Sequence, residues 1–134
     1  MSCVMRVWGV DLDVHAMLTE ITLPVDRVWT KGELRFGTKL HDDAGATVIV
    51  SDAEFEEFDL QAEDAQAFLH ANHAALVKLA MYSGVEGVVF DFGVTTPEGK
   101  MTQSSYLSPT LMQLASSAGV GITISHYPCS DDED

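Results

Sequence analysis

The residues best suited to bind a metal are two histidines in one predicted helix. His70 and His73 stand three residues apart, and Glu63 precedes His70 by one heptad, so they face roughly one side of the helix. The zinc-enzyme helix motif places its histidines four apart with a glutamate between them, and this sequence lacks both features. Because a metal site needs three or four ligands, solvent-facing polar residues are the better interpretation, and no metal is predicted.

Two further groups combine histidine with aspartate. His41-Asp42-Asp43 lies in a glycine-containing loop and could coordinate a cation, but the same residues also favour turns. Asp11, Asp13 and His15 have ligand-type side chains, although helix capping explains at least one aspartate. The sequence contains no Gly-x-Ser-x-Gly elbow, phosphate-binding loop or dinucleotide fingerprint. A noncatalytic protein without a cofactor is therefore predicted.

The cysteines and the amino terminus indicate the compartment. Cys3 and Cys129 form no Cys-x-x-Cys pair, and the two thiols could lie close if the first and last strands pair antiparallel. The amino-terminal segment lacks the long apolar region of a signal peptide. No run approaches the roughly 18 apolar residues of a membrane helix. We therefore predict a cytoplasmic protein with reduced cysteines and no membrane contact.

The charge balance is the outstanding property of the composition. The 134 residues include 21 acids and seven lysines or arginines, which gives a net charge of −14. This charge disfavours binding to nucleic acid. It either maintains solubility or complements a basic protein partner. The length predicts a single α+β domain over residues 1–129, followed by an acidic disordered tail at 130–134.

Hydrophobic periodicity predicts the elements that position these residues. Strands are expected over residues 3–10, 26–30, 47–51, 85–94, 101–106 and 120–127, and helices over 14–22, 60–83 and from Pro109 to Gly119. Residues 31–46 are expected to form a loop or a twisted hairpin. The half-polar strands argue against an open parallel sheet that is covered on both faces. The order β-α-β-β-α-β-β-α-β instead predicts a two-layer α+β sandwich, with three helices on one face of a largely antiparallel or mixed sheet.

Strand alternation predicts a second sheet face that the helices leave uncovered. Its members are the polar or aromatic residues of the first, central and last strands: Arg6, Trp8, Val89, Asp91, Thr123, Ser125 and Tyr127. Gly87 and Gly93 flank Asp91 and would let another chain approach the backbone. We predict a binding surface made by Arg6, Trp8, Asp91, Ser125 and Tyr127. The alternatives are an ordinary solvated face with an Arg6–Asp91 pair, or self-association into a homodimer.

Several segments together resemble the bacterial family catalogued as domain of unknown function 4279. They are Gly9-Val-Asp-Leu-Asp13, Leu23-Pro24, Trp29, Lys31-Gly32-Glu33, Leu107-Ser108-Pro109, Leu111, Leu114, Gly119, Ile122, Ile124 and Tyr127-Pro128. The sequence departs at Ala46–Val50, where the resemblance leads us to expect a tryptophan-bearing strand. The family implies no established reaction and no catalytic residues. Some similar proteins are encoded beside polymorphic toxins and are suspected immunity proteins.

Three functions are compatible with these observations. The first is a noncatalytic protein-binding domain, in particular an acidic immunity-type inhibitor of a basic toxin. The second is a small-molecule-binding or regulatory module that uses the uncovered sheet face or a dimer cleft. The third is a metal-dependent or carboxylate hydrolase, for which the 21 acids supply residues but no motif.

Overall fold

The computed structural model describes residues 1–96 and 98–128, which form a five-stranded sheet, a two-stranded hairpin and four helices. The strands are β1 (Cys3–Gly9), β2 (Val25–Trp29), β3 (Leu34–Phe36), β4 (Lys39–Leu40), β5 (Ala44–Ser51), β6 (Gly87–Thr95) and β7 (Gly121–Tyr127). The helices are α1 (Val14–Glu20), α2 (Phe58–Ala71), α3 (His73–Ala80) and α4 (Pro109–Ser117). The predicted tail at 130–134 and Cys129 lie outside the described residues.

The main sheet has β1 at its centre, in the order β2-β5-β1-β6-β7. Its neighbours pair antiparallel except β6 and β7, which run parallel. The predicted α+β class and the mixed, largely antiparallel sheet are therefore confirmed. The hairpin β3–β4 continues the β2–β5 ribbon beyond the main sheet, and we call residues 30–43 the arm. Of the loop and the twisted hairpin predicted for residues 31–46, the structure shows the hairpin, but residues 44–46 belong to β5.

One face of the sheet carries the hydrophobic core. Met5 and Val7 of β1 and Phe90 and Phe92 of β6 are all buried, and they join the buried side chains of the helices in one cluster. The helical members include Val14, Met17, Ala65, Leu69, Leu76, Leu79, Leu111 and Ala115. The predicted strand alternation is confirmed in β1 and β6, since the alternate residues lie on the other face. Among the described residues, no helix combines the length and the apolar character required to cross a membrane.

The prediction of three helices is wrong because the long central helix breaks at Asn72. Asn72 separates α2 from α3 and has φ −117° and ψ 18°, outside helical values. Its side-chain amide donates to the carbonyl oxygen of Phe68 at 3.0 Å, in addition to the regular bond from its own backbone N–H at 2.9 Å. A second bond of this kind to the i−4 carbonyl bends helices. The second half ends at Ala80 rather than Ser83. Gly84 consequently lies in the following turn, with φ +94°, and not directly at the helix terminus.

The predicted polar strand at 101–106 is also wrong, since those residues form no strand. The physical reason is that β1 and the parallel strand β7 occupy both edges of β6, so the segment after β6 has no free edge of that strand to pair with. Parallel neighbours require the chain to return to the starting end of the sheet, so residues 98–108 and α4 make a crossover connection. The residues that follow begin α4 as predicted, with Ser108 Oγ accepting from the Leu111 amide at 3.1 Å and Pro109 in the first turn.

Cys3 is a buried thiol that we expect to be unreactive in the folded protein. Burial raises its pKa above the ordinary value of 9.0, and the carboxylates of Asp91 and Asp64 raise it further. The thiolate is the reactive form, so a Cys129→Ser variant should react with Ellman's reagent about 100-fold more slowly when native than in denaturant. Rapid native labelling would show that Cys3 is accessible.

The same pKa shift predicts a stability change at alkaline pH. Because the folded-state pKa lies above the unfolded-state value, the contribution of Cys3 is full below about pH 8.5. Above that pH the unfolded chain loses the proton first, so stability falls by up to about 1.4 kcal/mol per pH unit. A Cys3→Ala, Cys129→Ser variant should lose this part of the slope in urea unfolding between pH 8 and 10.

Candidate functional site

The centre of the uncovered face, which we call the open face, is a polar cluster around Asp91. Ser125 Oγ donates to Asp91 Oδ1 at 2.7 Å, and Arg6 Nη2 lies 3.5 Å from Asp91 Oδ2. The Asp91 side chain is 14% exposed and that of Arg6 is 44% exposed. The structure thus brings three of the five predicted binding residues together, and the alternative Arg6–Asp91 pair is present. Asp91 is satisfied by these two partners, while Arg6 keeps part of its guanidinium available.

The remaining two predicted residues, Trp8 and Tyr127, lie at opposite ends of the open face. Trp8 is opposite Gly87 at the start of β6, and Tyr127 is opposite Thr95 at its end. Eight residues of strand separate these two positions, a distance of roughly 26 Å. No small ligand could contact both aromatic side chains, whereas a protein surface could.

A row of alternating tryptophan and glycine crosses the Trp8 end of the open face. The register pairs Trp29 with Gly45, Gly45 with Trp8, and Trp8 with Gly87 across four adjacent strands. A Cβ atom on Gly45 would lie 2.5 Å from Trp29 Cζ2, and one on Gly87 would lie 2.5 Å from Trp8 Cζ2. Only glycine leaves room for these indole rings to lie flat on the neighbouring strand.

Strand β2 also contributes to the open face, which strand alternation did not predict although a repeated tripeptide could have revealed it. Arg-Val-Trp occurs at residues 6–8 and again at 27–29. Both copies flank β5 in matched register, so Thr47 lies between Arg6 and Arg27, just as Gly45 lies between the two tryptophans. The two arginines and two tryptophans therefore form a duplicated arrangement around β5.

His41 and Asp43, considered above as cation ligands, instead contact Trp29. The indole Nε1 of Trp29 donates to Asp43 Oδ1 at 2.9 Å. The His41 ring stacks on the indole, with centroids 5.5 Å apart and planes at 21°. These contacts fix the orientation of Trp29 at the base of the arm.

No family model matches this chain, and neither a curated protein nor a solved structure matches it. The resemblance to domain of unknown function 4279 consequently stays a prediction.

At the Tyr127 end, the open face meets the most acidic part of the chain. The Tyr127 ring packs against Phe55 with centroids 5.5 Å apart, and both rings lie over Gly93. Phe55 belongs to residues 52–64, which we call the acidic segment. It carries seven exposed acids and no lysine or arginine: Asp52, Glu54, Glu56, Glu57, Asp59, Glu63 and Asp64. The open face therefore runs from an arginine-bearing end to an acidic end.

The candidate metal ligands of the central helix are not brought together. The helix break at Asn72 separates His70 from His73, and His73 Nε2 lies 2.8 Å from Ser117 Oγ in a hydrogen bond between α3 and α4. Within residues 1–96 and 98–128, no group of three or more histidine, cysteine, aspartate or glutamate side chains is placed to hold a metal ion.

Two surface clefts lie away from the predicted binding residues. One, of about 430 Å³, is lined by residues 56–60 of the acidic segment together with Lys100 and residues 102–104. The other, of about 520 Å³, lies between α4 and the start of β7. Neither is lined by Arg6, Trp8, Asp91, Ser125 or Tyr127. The binding role of these five residues therefore depends on the open face itself.

Proposed function

We propose that this chain is a noncatalytic protein-binding domain whose contact surface is the open face together with the adjoining acidic segment. The packing of Phe55 on Tyr127 carries this proposal, because it joins the acidic segment to the aromatic end of the open face in one surface. Tyr127 is 48% exposed there, and tyrosine is enriched at protein interfaces.

The shape of the surface favours a protein partner over a small molecule. Small-molecule sites are usually concave clefts that enclose most of the ligand. The predicted binding residues extend along about 26 Å of a sheet face, which matches the patch size of a protein–protein interface better than a ligand pocket. A small-molecule role for the whole surface therefore has less support.

The charge distribution favours a basic partner. The acidic segment holds seven of the 21 acids of the chain within 13 residues. Such a concentration accelerates encounter with a positively charged protein and fixes its orientation. An immunity-type inhibitor of a basic toxin, as the family resemblance implies, is the specific form of this proposal. The partner's cations would contact the acidic end, leaving the arginine-bearing end for a different contact.

The test is capture of a basic partner from lysate, followed by affinity measurements on the purified pair. Tyr127→Ala should weaken binding at least about ten-fold, since truncating a central aromatic side chain typically costs 2 kcal/mol or more. Glu54→Gln with Glu56→Gln should slow association, and the effect should shrink at high salt.

Asp11→Asn with Asp42→Asn is the matched control for charge. This pair removes the same net charge from exposed acids outside the acidic segment and should change the association rate less. Equal rates for both charge variants, together with unchanged affinity of Tyr127→Ala, would contradict the proposed surface.

A further inference from the structure

The duplicated Arg-Val-Trp arrangement differs between its two halves at one position. In the first half, Arg6 on β1 reaches diagonally to Asp91, which lies two residues beyond its direct neighbour Val89 on β6. In the second half, Arg27 on β2 is opposite Thr47 of β5. The residue two positions after Thr47, which corresponds to Asp91 of the first half, is Ile49. The second half therefore has the arginine without the carboxylate.

Arg27 is exposed and forms no ion pair with any described residue. Beside it, Thr47 Oγ1 is buried and has no hydrogen-bond partner within the described residues. Buried hydroxyl groups are usually paired, so an unpaired one beside a free guanidinium indicates a missing acceptor. A carboxylate could accept from the hydroxyl and pair with the guanidinium, as Asp91 accepts from Ser125 and forms an ion pair with Arg6.

The surroundings of Arg27 are suited to orient such a group. The register of β2 shifts between Val25 and Arg27, and a bulge of this kind re-aims the side chains beside it. Trp29 lies two residues further along the same face and is held by Asp43 and His41. It lies about 7 Å from Arg27 along the strand. Because Gly45 and His41 cover the two faces of the indole, the apolar body of a ligand can pack only against the exposed part of the ring edge.

We infer that Arg27, Thr47 and Trp29 form a recognition site for a carboxylate attached to a flat apolar group. The inference rests on the proposed function only in placing the site on the same open face. The site lies at its arginine-bearing end, away from the acidic segment.

Two sources of the ligand share this chemistry: the free carboxyl terminus of a peptide, and an acidic side chain within one. Thr47 Oγ1 is withdrawn from solvent, so binding requires a shift of a neighbouring side chain, and its direct neighbours Arg6 and Arg27 are long and flexible.

The experiment titrates the protein with N-acetylphenylalanine and with its uncharged amide, following the indole N–H signals by NMR. We expect the carboxylate to bind about ten-fold more tightly than the amide, the usual size of a charge-assisted hydrogen bond at a partly exposed site. The Trp29 signal should shift most. Arg27→Gln should remove the preference for the carboxylate, and Thr47→Val should reduce it several-fold while leaving the fold intact.

Arg35→Gln is the matched control, because Arg35 lies on the arm beside Phe36 and outside the open face. It removes one positive charge and should leave the preference unchanged. The capped peptide acetyl-Phe-Glu-Gly-amide distinguishes the sources: binding as tight as that of N-acetylphenylalanine supports a side-chain ligand, and much weaker binding supports a terminal one.

The inference is overturned if the acid and the amide bind equally, if neither binds, or if Arg27→Gln retains the preference. Its failure is separable from failure of the proposed function. If Tyr127→Ala weakens binding of the captured partner but the protein binds neither probe, only the inference of a carboxylate site is contradicted. If the probes bind as expected but Tyr127→Ala leaves the affinity for every captured partner unchanged, only the proposed protein-binding surface is contradicted.

Discussion

Replacing Gly9 with alanine is expected to lower the free energy of unfolding by about 3 kcal/mol or more. Gly9 ends β1, and an added Cβ would overlap the carbonyl oxygen of Gly84 and lie 2.9 Å from the carbonyl carbon. These are backbone atoms, so no rotamer change relieves the overlap. Gly84 itself cannot move easily, because it has φ +94° and packs against Asp11 and Leu12. The two turns at this end of the sheet must separate to admit one methyl group.

Gly32→Ala serves as the control for Gly9→Ala in urea unfolding. Gly32 has φ +88° and no atom within 4 Å of an added Cβ, so alanine there meets only left-handed backbone strain. That strain costs about 1 kcal/mol. If Gly9→Ala proves no more destabilising than Gly32→Ala, the close approach of Gly9 to Gly84 is not maintained in solution.

Phe92→Ala is expected to cost about 3–5 kcal/mol of unfolding free energy. Phe92 is fully buried on β6 and packs against Phe58 at the start of α2, with ring centroids 5.2 Å apart. It also lies opposite Cys3, so its removal leaves a cavity where the central strands meet α2. A buried aromatic side chain held on both sides leaves little scope for collapse of the surrounding structure.

Phe36→Ala on the arm is the comparison for Phe92→Ala. Phe36 is 58% exposed, so the same chemical deletion should change the unfolding free energy by about 0.5 kcal/mol or less. Thermal and urea unfolding of both variants give the test. If Phe36→Ala and Phe92→Ala lowered the unfolding free energy by similar amounts, the arm would have to pack against the body of the protein in solution.

Secondary structure and buried faces could be predicted from the sequence where local periodicity agrees with tertiary packing. The alternation of Val88, Phe90, Phe92 and Val94 predicts the buried face of β6, because in a strand half covered by helices only one parity is apolar. Ser108-Pro109 likewise predicts the start of α4, since the capping hydroxyl and the proline act within a single turn.

The errors concern features that depend on long-range pairing. The helix break at Asn72 accompanies a second, side-chain hydrogen bond to the carbonyl of Phe68, while propensity across the segment favours a continuous helix. The strand predicted at 101–106 finds no free edge on β6, because β1 and β7 occupy both sides of it, and strand order is not encoded in local alternation. The residue types of this six-residue polar segment contain no signal that it belongs to the crossover connection between β6 and β7.

Of the predicted binding residues, the structure groups Arg6, Asp91 and Ser125 and separates Trp8 from Tyr127. Alternation predicted which face each side chain occupies but not its position along the sheet, because that position is set by register between strands. The contribution of β2 was missed for the same reason. The repeated Arg-Val-Trp becomes informative only when β5 is known to lie between its two copies.

The row of tryptophan and glycine places both tryptophans of the chain on the open face, about 10 Å apart across β5. Tryptophan fluorescence of the unmodified protein therefore originates entirely from the surface proposed for binding. Selective excitation of tryptophan reports events at Gly45 and Gly87 without a label. The buried core, which contains phenylalanine but no tryptophan, is optically silent at that wavelength. Tryptophan fluorescence of the unlabelled protein can therefore report whether the open face is occupied.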